Sequence, residues 1–65
     1  MDIKKLEVLL KVIETKSLTA AGNQLGFPQS GVSHLIKTIE DEFGFPVLIR
    51  GKGGVRLTEN GRALL

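Results

Sequence analysis

The stretch SLTAAGNQLGFPQSGVSHLIKTIEDEF, residues 17–43, decides the fold of this 65-residue chain. Ser17 can cap a helix because its hydroxyl accepts one of the unpaired amide hydrogens of the first turn. Gly26 can end that helix in a left-handed conformation, which glycine adopts without a steric penalty. Pro28 opens a longer helix, because a missing N–H costs no hydrogen bond in a first turn. The stretch therefore predicts two helices joined by a tight turn, the second over about residues 28–43.

The second of these helices has two different faces. One is apolar and holds five residues at helical spacing, namely Val32, Leu35, Ile36, Ile39 and Phe43. The other is polar and holds Gln29, Ser30, Ser33, His34 and Lys37. A face that is only solvated more often carries Glu, Lys and Arg, which have higher helix propensity than Ser or His. The polar face is therefore a candidate binding surface.

Apolar residues at spacings of three and four also predict a helix over about residues 2–15. Its core face is expected to hold Ile3, Leu6, Leu9, Leu10 and Ile13. Val8 and Val12 form an offset apolar strip that we expect to be partly exposed.

Downstream of residue 44 the pattern changes to that of a β-hairpin. Residues 47–49 and 55–57 are short β-rich runs, and the glycine-rich turn 51–54 separates them. Thr58 can cap a fourth helix that begins at about residue 58. The expected fold is mainly α with a small hairpin: a winged helix-turn-helix with a three-helix core, a wing over about 45–57 and the start of a fourth, linker helix. We expect residues 1–65 to be one domain of a longer protein, with the fourth helix truncated.

Composition excludes several classes of protein. The chain has no cysteine and one histidine, so disulfides and a Cys/His zinc site are not expected. No apolar run approaches the roughly 20 residues of a membrane-spanning helix, so no membrane partner is expected. His34 has no second histidine, cysteine or orienting acid near it in sequence, and no Ser/His/Asp or paired-carboxylate arrangement occurs. We therefore expect no enzyme, no catalytic or metal-binding residue and no cofactor in this domain.

The charge distribution fits a polyanionic partner. The net charge is +2, but the three consecutive acids at 40–42 leave nine basic and four acidic residues, and hence +5, elsewhere. These acids stand at the far end of the third helix. They either repel phosphates, so that the helix enters a groove with its N-terminus first, or form a solvated helix end; the sequence leaves both possibilities open.

A helix-turn-helix presents the start of its second helix to the major groove of DNA. The expected base contacts are Gln29, Ser30, Ser33 and His34. The expected DNA backbone contacts are Ser17, Thr19, Lys37, Arg50, Lys52 and Arg56, of which the last three are expected to cluster around the hairpin tip. Together they predict sequence-specific binding of double-stranded DNA.

The chain resembles the N-terminal domain of LysR-type transcriptional regulators over nearly its whole length. The likeness rests on the motifs at residues 1–6, 17–21, 29–33, 39–44 and 55–61, in this order and spacing. The resemblance implies a cytoplasmic, nucleoid-associated bacterial regulator. It also implies that the fourth helix forms a homo-oligomer and that a separate domain binds a small-molecule inducer.

Several residues depart from the pattern of that family, namely Pro28, Ser30, His34, Leu35 and Gly54, the last replacing a frequent basic residue of the wing. Two alternatives stay open. The wing and its exit also resemble ModE-type molybdate-responsive regulators. A winged helix can also serve as a protein-interaction module, in which case DNA would not affect the outer face of the third helix.

Overall fold

A computed structural model describes all 65 residues and shows a three-helix core followed by a hairpin and a short helix. The elements are α1 (Ile3–Thr15), α2 (Leu18–Leu25), α3 (Gln29–Phe43), β1 (Leu48–Gly51), β2 (Gly54–Leu57) and α4 (Glu59–Arg62). The two strands form one antiparallel sheet. This is the predicted winged helix-turn-helix.

The helix boundaries follow the capping residues in the sequence. The Ser17 hydroxyl accepts the Ala20 N–H at 3.0 Å, and Gly26 ends α2 with φ +81°. The Thr58 hydroxyl accepts the Gly61 N–H at 2.8 Å, so α4 begins one residue later, at Glu59. Short side chains can make such bonds without any tertiary contact, which is why the sequence predicts these ends well.

The start of α3 differs by one residue from the prediction. Pro28 does not lie within the first turn; it is the N-cap, in extended backbone with φ −68° and ψ 158°. Its carbonyl accepts the N–H groups of Gly31 and Val32 at 3.0 and 3.2 Å. Pro28 therefore supplies an acceptor to the first turn while staying outside the helix.

The turn between α2 and α3 is closed by a contact that only a residue without a side chain permits. The Phe27 N–H donates to the Gly22 carbonyl at 2.8 Å. An ideal Cβ on Gly22 would lie 2.4 Å from the Phe27 carbonyl oxygen and 3.2 Å from Cγ2 of Val32. This close approach fixes the angle at which α3 leaves the turn.

The core corrects the expectation for α1. Val8 and Val12 are fully buried, whereas Ile3 and Leu10 are 87% and 48% exposed. The helix packs against α2, α3 and β2, so its buried face is set by partners on more than one side. Apolar residues cover more than half of the helix circumference, and their spacing alone could not select which of them face inward. The eight residues of the main core cluster are Val8, Leu9, Val12, Ala21, Val32, Ile36, Ile39 and Val47.

Phe43 also departs from the predicted core face of α3. Its side chain is 37% exposed, and its ring packs on that of Phe45, with 6.3 Å between the ring centroids. The residue is the last of α3, where the helix has already passed the edge of the core.

The hairpin is joined to the helices by main-chain and side-chain bonds. Its first strand begins at Leu48 rather than at 47, because the Val47 N–H donates to the Glu40 carboxylate instead of to the partner strand. The Val47 side chain is fully buried. The Val55 N–H donates to the Lys16 carbonyl at 3.0 Å, which attaches β2 to the end of α1.

No helix of the chain has the length and apolar character needed to cross a membrane.

Candidate nucleic-acid interface

The N-terminal half of α3 projects its polar side chains away from the core. Gln29, Ser30 and His34 are exposed, and Ser33 is half-buried. The Gln29 side-chain amide donates one N–H to the Ser33 hydroxyl at 2.9 Å. The amide keeps its oxygen and a second N–H available, which are the acceptor and donor that a paired contact with adenine requires.

A groove of 380 Å³ separates α3 from the wing and brings three of the proposed contact residues together. Its polar rim includes Ser33 and Lys37 from α3 and Arg50 from β1. Its apolar lining is Leu18, Ile36, Leu48 and Val55. Arg50 of the wing therefore faces the same space as α3, which we call the recognition helix, although 17 positions separate Ser33 from Arg50.

The wing divides its cations between two faces. Arg50 is paired with Val55 in the strand register, and Arg56 with Ile49. Since side chains alternate along a strand and cross-strand partners share a face, Arg50 and Arg56 lie on opposite faces. Lys52 occupies the tip, next to Gly53 with φ +84°. The structure brings Arg50 to the groove and leaves Arg56 outside it, so the wing cations do not share one face of the hairpin.

The start of α2 presents two hydroxyl groups of different availability. The Ser17 hydroxyl oxygen already accepts the Ala20 N–H, so this group has its O–H left to donate. Thr19 is exposed in the first turn of α2, two residues after Ser17.

The acidic block has partners that neither of the two interpretations anticipated. Glu40 Oε2 accepts the Val47 N–H at 2.8 Å and so ties α3 to the beginning of the wing. Asp41 pairs with Lys37 at 2.6 Å. Glu42 accepts from the N-terminal ammonium group at 2.7 Å. The four-residue spacing of Lys37 and Asp41 is the sequence signal of an ion pair within a helix. The contacts of Glu40 and Glu42 join elements that are distant in sequence, and no sequence signal distinguished them from a solvated end.

The ion pairs leave the cations of the wing free. Lys4, Lys5, Lys11 and Lys37 pair with carboxylates within 4.0 Å. The hydrogen bond and charge of Asp41 raise the pKa of Lys37 above its ordinary 10.5. The other cations, Lys16, Arg50, Lys52, Arg56 and Arg62, form no ion pair. Lys16 was not among the predicted contacts, because its position beside β2 depends on tertiary structure.

The potential metal-ligating side chains do not form a cluster. Three or more His, Cys, Asp or Glu side chains that could hold an ion do not come together anywhere in the chain. His34 stands exposed on the outer face of α3 among serine and glutamine side chains.

Comparison with known proteins agrees with this geometry. Residues 3–62 match the family model of bacterial regulatory helix-turn-helix proteins of the lysR family. The chain is 43% identical over all 65 residues to the probable HTH-type transcriptional regulator LrrA of Synechococcus elongatus, and 35% identical to the HTH-type transcriptional regulator MetR of Haemophilus influenzae. It spans 22% and 21% of the length of these two relatives.

Solved structures show the same fold with DNA bound. The DNA-binding domain of BenM in complex with catB site 1 DNA superposes with a TM-score of 0.89 at 31% identity, over 98% of this chain and 69% of that one. The DNA-binding domain of CbnR in complex with DNA gives a TM-score of 0.89 at 28% identity, over 100% and 75% of the two chains. These matches favour the LysR-type resemblance over the ModE-type alternative.

Proposed function

Because the chain belongs to the lysR family of bacterial regulatory helix-turn-helix proteins, we propose that residues 1–65 are the DNA-binding domain with which a longer transcription regulator recognises its operator. The observation that carries the proposal is the groove between α3 and the wing. It aligns Ser33 and Lys37 of the recognition helix with Arg50 of the wing. Hydrogen-bonding groups that would read bases thus line the same groove as an unpaired cation that could hold a phosphate.

Base recognition is assigned to Gln29, Ser30, Ser33 and His34. The bond from Gln29 to Ser33 restrains the amide before DNA binds, so less side-chain freedom is lost when the amide meets an adenine. Ser33 has its own O–H left to donate to a base or a phosphate. His34 follows Ser33 and is exposed, and it makes no hydrogen bond within the chain, so both ring nitrogens would be available for a base edge.

Backbone recognition is assigned to Ser17, Thr19, Lys37, Arg50, Lys52 and Arg56. The two faces of the wing suggest two different phosphate contacts. Arg50 would approach the phosphates beside the major groove, since it borders the groove with α3. Arg56 and the tip residue Lys52 would follow the adjacent backbone or minor groove.

The proposal is tested by selecting a preferred duplex from a random library and titrating three variants against it and against an unrelated duplex. We expect Gln29→Ala to lose roughly 1–3 kcal/mol on the selected sequence only, as for one lost base contact. Ser33→Glu should abolish the preference, because it places a carboxylate beside the bases and phosphates. Lys52→Ala should weaken binding to both duplexes alike and reduce the slope of log affinity against log salt by about 0.9.

Lys11→Ala is the matched control, since Lys11 pairs with Glu14 at 2.7 Å and lies in a separate hollow on α1. Its affinity should stay close to that of the unmodified chain. Binding that ignores salt would refute DNA recognition. An outer face of α3 whose NMR shifts respond to a protein but not to DNA would favour the protein-interaction module instead.

The proposal extends to parts of the regulator outside residues 1–65. A small-molecule inducer would bind a separate domain, and residues 1–65 would need no cofactor. The fourth helix, which begins at Glu59, would continue as the contact that forms a homodimer. Acting on operator DNA would place the regulator at the nucleoid, in the cytoplasm.

A further inference from the structure

Lys16 occupies an unusual place in the backbone. It is the only residue other than glycine with a positive φ, and its angles, φ 58° and ψ 25°, are those of the left-handed helical region. A side chain with a β-carbon is unfavourable there, and glycine or asparagine is the usual choice. This conformation ends α1, with the Lys16 N–H donating to the Val12 carbonyl at 2.7 Å, and a lysine where glycine would be less strained points to a constraint on the choice of side chain.

The surroundings of Lys16 show what that constraint could be. The residue lies between the end of α1 and Ser17, the cap of α2, where a DNA backbone contact is proposed. Its carbonyl accepts the Val55 N–H at 3.0 Å, so it also abuts β2. Its Cβ lies 3.3 Å from where a Cβ of Gly54 would stand, and Gly54 shares a strand face with Arg56.

Two unpaired cations therefore flank Gly54: Lys16 packs beside it, and Arg56 follows two residues later on the same face of β2. Lys16 is exposed and has no carboxylate within 4.0 Å, and the same is true of Arg56. The absence of a β-carbon at Gly54 leaves room for the lysine against the strand. A basic residue at 54 would collide with the Lys16 carbonyl, which an ideal Cβ would approach to 2.2 Å. Position 54 therefore cannot carry a side chain in this backbone, whereas the neighbouring Lys16 carries a charge.

We propose that Lys16 is a further DNA backbone contact, which together with Arg56 holds a phosphate on the outer side of the wing. This inference rests on the proposed DNA-binding function. The lysine is kept in a left-handed conformation because its ammonium group supplies a charge at a point where the strand itself cannot carry one.

The test uses a duplex of mixed sequence, because a phosphate contact does not depend on the bases. Lys16→Asn removes the charge and keeps a residue that tolerates the left-handed conformation. We expect the salt slope of binding to fall by about 0.9 between about 50 and 200 mM salt, and affinity near 0.1 M salt to fall roughly three- to eightfold. Lys16→Arg should bind like the unmodified chain. Lys16→Gly should lose the same affinity while its Tm rises by several degrees, because glycine removes the strain.

The control is Lys11→Asn, which removes a lysine that already pairs with Glu14 on the outer side of α1. This variant should keep both the slope and the affinity. If Lys16→Asn matches Lys11→Asn while the unmodified chain binds DNA with a clear salt dependence, the contact at Lys16 is refuted and the DNA-binding proposal stands. If the unmodified chain does not bind the duplex, both fail.

Discussion

Replacing Glu40 tests whether the acidic block holds the wing in place. Its carboxylate accepts the Val47 N–H at 2.8 Å, and the Val47 side chain is fully buried at the start of the hairpin. Glu40→Ala leaves that N–H without its partner, and the loss of a hydrogen bond to a charged group costs about 1.5–3 kcal/mol. A chain of this size is stable by roughly 3–10 kcal/mol, so the loss is a large fraction of the total. At a urea dependence of about 1 kcal/mol/M, the midpoint of unfolding should fall by roughly 1.5–3 M.

Two neighbouring variants isolate the hydrogen bond from the charge. Glu40→Gln keeps an oxygen that can accept the Val47 N–H, so it should lose clearly less stability than Glu40→Ala. Asp41→Ala removes the adjacent acid, whose exposed pair with Lys37 should matter little for folding. Hydrogen exchange at the Val47 amide should accelerate in Glu40→Ala alone. Equal urea midpoints for Glu40→Ala and Asp41→Ala, with unchanged exchange at Val47, would show that this bond does not anchor the wing.

Three further substitutions test the backbone and the pH dependence. Gly31→Ala should stabilise the chain by about 0.5–1 kcal/mol in urea unfolding, because the new Cβ meets Pro28 at an ordinary 3.6 Å within α3. Gly26→Ala, at φ +81°, should have the opposite sign, and equal signs would contradict this reasoning. The hydrogen bond from the Met1 ammonium group lowers the pKa of Glu42 below its ordinary 4.5, so this stabilisation is present above pH 4.5 and is lost as the pH falls through the lowered pKa. In a chain with a free Met1 amine, Glu42→Gln should lose less stability than the unmodified chain on acidification; parallel pH profiles would count against the pair.

Sequence reasoning succeeded where a short-range interaction decides the structure. Ser17 and Thr58 cap their helices within three residues, and Gly26 ends its helix through its own backbone angle. It failed where several elements compete for one side chain. Apolar residues cover more than half of the circumference of α1. Only the contacts of α1 with α2, α3 and β2 determine that Val8 is buried and Leu10 is not.

The candidate site shows the same limit. The polar face of α3 was predictable, because one helix presents it. The separation of Arg50 from Arg56 was not, since it depends on the strand register that also places Arg50 over the groove. The proximity of Lys16 to β2 requires the main-chain bond to Val55, which leaves no trace in the local sequence.

The charge that the wing presents to DNA depends on which groups the carboxylates bind, and only weakly on the net charge of +2. Six of the seven acids are engaged: Asp2 caps α1, Glu40 binds a backbone N–H, and Glu7, Glu14, Asp41 and Glu42 form ion pairs. None of these pairs involves a wing cation. Because attraction between exposed charges is screened beyond about 10 Å at 0.1 M salt, a phosphate near the wing senses mainly the local cations. Because the acids are paired with cations and N–H groups outside the wing, the wing stays basic although the whole chain is nearly neutral.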